Sequence, residues 1–395
     1  MYFIVKFMAR IEFLRHMTLV SLIVLILCTT ASPIFASKNC DFPAIFNFGA
    51  SNSDTGGLDA AFAALSLPYG ETYFHRSTGR FSDGRIIIDF IGNIHRVSDF
   101  PISVHILILL DPISHMVQTS QQEGQQLEFP IVIPNGMFSP FSLGIQYIQF
   151  KEFISKIKFI RNQGGVFATL IPKEDYFFKA LYTFDVGQND LTAGFFGNVT
   201  IQQVKATVPD IINNFIENIK SIYNLGARSF WIHNTGPIGC LPVILANFPS
   251  AAKDSYGCAK QYNEVSQYFN LKLKEALAQL RGNHPLATIT YVDIYSPKYS
   301  LFQNPKKYGF ELPHVACCGF GGKYNYNIQA RCGETINING SKKFVGSCKK
   351  PSTRVIWDGT HYTEAANKIV FDQISTGAFT DPPIPLNIAC HRKFT

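Results

Sequence analysis

The stretch Asn47-Phe48-Gly49-Ala50-Ser51-Asn52-Ser53-Asp54-Thr55-Gly56-Gly57 closes a short apolar run that begins at Pro43. A strand ending in Gly-x-Ser delivers its hydroxyl at the lip of a sheet, where an acyl group can reach it. Near the opposite end of the chain, Asp358-Gly359-Thr360-His361 sets a carboxylate three residues before an imidazole. At that spacing the aspartate can orient the ring that takes the serine proton. The chain order Ser, Asp, His therefore predicts a serine hydrolase, with Ser51 as nucleophile, His361 as base and Asp358 as the group that fixes its tautomer.

Three further runs are likewise short, apolar and β-rich: Ala180 to Val186, Ser229 to His233 and Thr288 to Ile294. Helical periods lie between them. Ile211, Phe215, Ile219 and Ile222 share one helical face that Gly226 closes, and Tyr262, Val265, Phe269, Leu273, Leu277 and Leu280 form another. A final helix from about Thr363 to Thr376 places Ala366, Ile369, Val370 and Ile374 inward, with Gly377 ending it. Strands alternating with helices imply an α/β fold with a mostly parallel central sheet. The segment Pro305 to Pro351 shows no sustained period and is expected to be a cystine-stapled loop region. Nothing in the chain marks a linker or a repeat, so one domain over residues 37–395 is expected.

These blocks, together with Thr78-Gly79-Arg80-Phe81-Ser82-Asp83-Gly84-Arg85 and Gly187-Gln188-Asn189-Asp190, resemble the plant GDSL esterase/lipase family, the SGNH hydrolases, most closely its early-nodulin-like branch. The resemblance covers the chain from about Phe42 to Cys390. It implies a three-layer α/β/α sandwich, flavodoxin-like in outline, and hydrolysis of carboxylic esters of small molecules, lipids or acylated sugars without cofactor or metal. It also implies that the Ser51 N–H and the Asn189 side chain hold the oxyanion. From the residues alone, Asn189 reads first as a turn residue after its strand. Arg80, Arg85, His75 and Asp54 lie near the site, but helix capping by Ser82 or Asp83 and structural ion pairing are expected to account for this region without a catalytic role. The alternative to an esterase is a non-catalytic wall or carbohydrate-binding protein on the same fold.

The family pattern is broken in two places. Ala50 stands where the family carries an aspartate, whose implied work is to stiffen the turn under Ser51. Across residues 93–136 the family's glycine-rich segment, source of a third oxyanion donor, is not found. Read from the third base of each codon, His115 to Glu128 can yield His-Gly-Ala-Asn-Phe-Ala-Thr-Gly-Gly-Ser, which a reading-frame slip would explain. In the residues as printed, Val104 to Leu110 is an apolar, β-prone run that could supply a substitute strand.

Composition places the protein in its compartment. The net charge of +7 is scattered, which disfavours a nucleic-acid surface. Lys6, Arg10 and Arg15 precede an apolar stretch from Leu19 to Cys28 and small residues to Ala36. That layout predicts a signal peptide over residues 1–36, because the apolar stretch is shorter than the ~20 residues of a spanning helix. Its removal leaves Cys40, Cys240, Cys258, Cys317, Cys318, Cys332, Cys348 and Cys390, an even set suited to disulfides in an oxidising compartment. Their spacing does not suit a structural zinc site and does not reveal connectivity. Asn198 and Asn339 head glycosylation sequons. A secreted, extracellular esterase with no transmembrane segment in its mature form is the expectation.

Overall fold

A computed structural model describes residues 39–62, 65–94, 141–197 and 199–391. The leader, most of the anomalous segment (residues 95–136) and the Asn198 acceptor lie outside the described residues.

Four parallel strands, β1 (Ile45–Gly49), β2 (Leu181–Asp185), β3 (Ser229–His233) and β4 (Thr288–Val292), are the four apolar runs of the sequence. A hairpin of β5 (Thr335–Ile338) and β6 (Ser341–Phe344) stands apart, and β7 (Thr380–Asp381) adds antiparallel to β4, giving the order β1-β2-β3-β4-β7. Because the sheet grows in one direction and crossovers are right-handed, the long helices that lead into β2, β3 and β4 fall on one face. Those helices are Leu143–Gln163, Ile201–Asn224 and Lys260–Asn283. Helices Ile87–Ile94, Tyr295–Gln303 and Glu364–Ile374 pack on one another to form the opposite layer. The result is a three-layer α/β/α sandwich.

The two sheet faces differ in chemistry. In-register neighbours Phe46, Tyr182 and Phe230 line one face, and Phe48 beside Phe184 continues it. Phe150 and Phe215, from the first two crossover helices, meet these rings edge-on. Such contacts add to the large apolar area each ring removes from water. Asn47, Thr183 and Thr290 point the other way, where the Thr183 hydroxyl donates to Asn47 Oδ1 at 2.8 Å. This more polar face lies toward the last helix and the functional residues.

The helical stripes hold with small adjustments. Phe215, Ile219 and Ile222 are buried, but Ile212 rather than Ile211 is the fully buried member of its turn, and Ile369 is half-buried. The Tyr262 to Leu280 stripe is buried throughout. Thr363 caps the last helix by accepting from the Ala366 N–H at 3.2 Å.

The eight described cysteines pair as Cys40–Cys390, Cys240–Cys258, Cys317–Cys348 and Cys318–Cys332. Two of these lie within the segment expected to be loop, which does contain the β5–β6 hairpin. The alternation Thr335-Ile336-Asn337-Ile338 of β5 spans only four residues and β6 is exposed throughout, so the pattern was too short to mark a strand pair. The Asn339-Gly340 pair, both at positive φ, was the available signal for a tight hairpin turn.

Candidate active site

Ser51 stands two residues beyond β1 in a turn fastened through the main chain. The Ala50 N–H donates to the Asp185 carbonyl at 3.1 Å, and the Ala50 carbonyl accepts from the Ser53 N–H at 2.9 Å. Asn47 reaches forward to the Ser53 carbonyl at 2.8 Å. From the other side, the Gln146 amide grips Gly49, accepting from its N–H at 3.0 Å and donating to its carbonyl at 3.1 Å. Among the described residues β1 is a sheet edge, and Gln146 satisfies the groups that a further strand would pair. With alanine at position 50, these bonds hold the serine turn.

Asp358, Gly359, Thr360 and His361 form a second turn. Asp358 Oδ1 accepts from the N–H groups of Thr360 and His361, both at 3.0 Å, and the Trp357 N–H donates to the His361 carbonyl at 2.7 Å. Gly359 has φ 108°, and a Cβ there would meet the Tyr326 ring at 2.3 Å, so this corner requires glycine. The turn aims the imidazole: His361 Nδ1 lies 2.7 Å from Asp358 Oδ2, and its Nε2 lies 2.7 Å from Ser51 Oγ. Phe81 lies against the ring, with centroids 4.9 Å apart. Burial opposes charge on Asp358, but the facing imidazole and the main-chain donors outweigh it and hold its pKa below the usual carboxylate value. Asp358 is therefore an anion at neutral pH.

Asn189 follows β2 in helix Gln188–Phe196, on the strand next to the one that carries Ser51. Gln188 accepts from Asn52 at 3.3 Å, tying the two loops together. The Asn189 side chain and the Ser51 N–H make no hydrogen bond among the described residues, so both donors are uncommitted. Residues 95–136, the stretch in which the family's glycine-rich segment and its third donor are not found, lie outside the described residues.

The remaining candidates are structural. Asp54 accepts from the N–H groups of Gly56, Gly57 and Leu58, and Arg80 pairs with Asp89 at 2.6 Å. Arg85 pairs with Glu364 at 2.6 Å, joining its block to the last helix, and His75 Nδ1 meets the Glu71 carbonyl. Asp83 is buried and accepts from the Glu364 N–H at 2.7 Å, so it supports the last helix rather than one of its own.

Sequence reasoning missed a buried polar group behind the Ser51 turn. Asp185, which ends β2, lies 3.2 Å from His233 Nδ1, and the buried Lys298 ammonium sits 4.3 Å from the centre of the Tyr362 ring. Burial disfavours charge on Asp185, but His233 and Lys298 prevail and keep its pKa low. Burial draws Lys298 down despite Asp185. No periodicity marks these residues, because they meet only across strands and layers. Tyr69 was also missed: its hydroxyl donates to Asp358 Oδ2 at 2.8 Å.

Comparison with known proteins agrees with this geometry. A family model described as GDSL-like lipase/acylhydrolase matches residues 45–374. The chain is 71% identical over 389 residues to a GDSL esterase/lipase of Medicago truncatula named ENOD8, covering 98% of this chain and 100% of that one. It is 60% identical to a protein of Hevea brasiliensis named esterase, covering 91% of each. It is 44% identical to a protein of Arabidopsis thaliana named alpha-L-fucosidase 3, covering 94% of this chain and 98% of that one. A serine presented at a strand end, an imidazole in contact with it and this likeness along almost the whole length agree: the chain belongs to the GDSL-like lipase/acylhydrolase family and is a carboxylic ester hydrolase.

Proposed function

We propose that the chain is a secreted esterase that cleaves carboxylic esters through an acyl-enzyme on Ser51. The observation that carries the proposal is the 2.7 Å contact between Ser51 Oγ and His361 Nε2. His361 takes the Ser51 proton as the oxygen attacks the acyl carbon, then returns it to the leaving alcohol. Asp358 holds the proton-bearing Nδ1 and stabilises the imidazolium that forms. The Ser51 N–H and the Asn189 amide stabilise the negative oxygen of the tetrahedral intermediate. Water then repeats the sequence and frees the acid, and no cofactor enters either half.

Export is supported by the charged and apolar layout of residues 1–36 and by four disulfides, which persist in oxidising compartments. Asn339 is exposed at the hairpin tip, where a glycan has room. Among the described residues no helix is long and apolar enough to cross a membrane. Substrates are small, lipid or acylated-sugar esters.

Glycoside cleavage, the activity in one relative's name, uses two carboxyl groups across a sugar ring. Asp358 is committed to His361, Tyr69 and its own turn, which favours acyl transfer. Turnover of p-nitrophenyl acetate and butyrate by the secreted protein, beside a Ser51→Ala control, tests the proposal. Loss of turnover in the control is expected, with p-nitrophenyl α-L-fucoside left intact. Equal ester rates in parent and control would overturn it and leave a binding protein on this fold.

A further inference from the structure

We infer that Tyr69 is a positioning residue for the ester hydrolysis proposed above, setting the orientation and charge of the Asp358 carboxylate through its phenol hydroxyl. The inference rests on that reading of Ser51, Asp358 and His361.

Asp358 Oδ1 accepts from the two main-chain donors of its own turn and also lies 2.9 Å from His361 Nδ1. Oδ2, the oxygen nearer the imidazole, accepts from His361 Nδ1 at 2.7 Å and from the Tyr69 hydroxyl at 2.8 Å. Tyr69 is thus the side-chain donor, other than His361, that Asp358 has among the described residues. Burial, and then the neighbouring carboxylate, push the phenol well above its usual value, so it stays a donor wherever the enzyme works.

The ring is held on several sides. It packs with Trp357 and with Cys317, Cys318 and Cys332, and it meets Phe81 and Trp357 edge-on at 6.1 and 5.9 Å. Phe81 in turn lies against His361, and the Cys318 N–H donates to the Trp357 carbonyl at 2.6 Å. The Cys318–Cys332 and Cys317–Cys348 pairs therefore border the wall that places the phenol. A donor so fixed prevents the carboxylate from rotating away from Nδ1. It also draws negative charge from Oδ2, which would otherwise act undiluted on the imidazolium.

A tyrosine that merely satisfied its buried hydroxyl would affect melting and nothing else. A positioning role predicts more. Tyr69→Phe keeps the ring, and kcat for p-nitrophenyl butyrate is expected to fall roughly 10- to 100-fold, the scale of one hydrogen bond to a charged group. KM should stay within about twofold, because the phenol hydroxyl is buried and taken up by Asp358. Without the phenol donor, more of the carboxylate's negative charge stays on Oδ2 beside the imidazole. The acidic limb of the kcat profile is therefore expected to move up by about half a pH unit or more.

Replacing Tyr69 by 3-fluorotyrosine, a near-isosteric stronger donor, is expected to move the same limb down, and it serves if the phenylalanine variant fails to fold. Parent-like kcat and pH profiles for both variants, in a protein that Ser51→Ala inactivates, would overturn the role of Tyr69 alone. An active Ser51→Ala protein would instead remove the reading beneath it.

Discussion

Replacing Gly49 by alanine adds one methyl group at the point where β1 hands the chain to the nucleophile turn. A Cβ built there would lie 2.5 Å from the Asp185 carbonyl oxygen and 2.5 Å from Ser53 Oγ. Ordinary contact is roughly 3.5 Å, so about 1 Å must be found. The serine hydroxyl can rotate, but the carbonyl cannot. It belongs to the backbone of β2, is in register with Gly49 and already accepts the Ala50 N–H. β1 must therefore move outward, against the Gln146 clamp, and carry Ser51 with it.

Overpacking of this kind costs about 1–3 kcal/mol, and a nucleophile displaced by about 1 Å loses on the order of 10² in rate. Thermal melting and kcat for p-nitrophenyl butyrate measure the two effects. Gly92→Ala, in helix Ile87–Ile94, is the matched control, since among the described residues a Cβ on Gly92 meets nothing within 4 Å. It should leave activity unchanged and add about 0.5–1 kcal/mol of stability. If Gly49→Ala melts and turns over like the parent, the close approach of β1 to β2 does not position Ser51.

Two other outcomes follow from the site and its supports. Asn189→Ala removes a proposed oxyanion donor, so kcat should fall by about 10²–10³ with little change in KM, and an unchanged kcat would return Asn189 to a turn residue. Burial pushes the Asp83 carboxyl up to about 6, because its hydrogen bonds do not fully replace water. A raised folded-state pKa means the stability tied to this proton is full below about pH 4 and is lost as pH rises through 6. The loss is on the order of 3 kcal/mol. Asp83→Asn, neutral throughout, should flatten that part of the stability profile in denaturant titrations at pH 4, 5, 6 and 7. A parallel profile for parent and variant would show that Asp83 ionises freely in the fold.

The four strands, the helical stripes and the Asp358 to His361 turn were readable because each is local. Alternation and the 3.6-residue period report how a short segment meets water, and a contact three residues long needs no knowledge of the rest of the chain. Ser51 was readable as a serine presented by a strand end. Its meeting with an imidazole 310 positions away was an expectation from the residue types that the resemblance strengthened, and the tertiary structure shows the 2.7 Å contact.

Other features had no local sign at all. The phenol of Tyr69 is 289 positions from the carboxylate it reaches, Gln146 completes a strand edge 97 positions away, and the cysteine partners follow from which loops lie together. The β5–β6 hairpin stayed hidden because exposed strands bury too little to impose a pattern. What the sequence determined by itself is what each segment becomes when its apolar face is covered. Which remote groups then touch is decided by the packing of all the segments at once, since in a close-packed interior a side chain's partner depends on the layers placed around it.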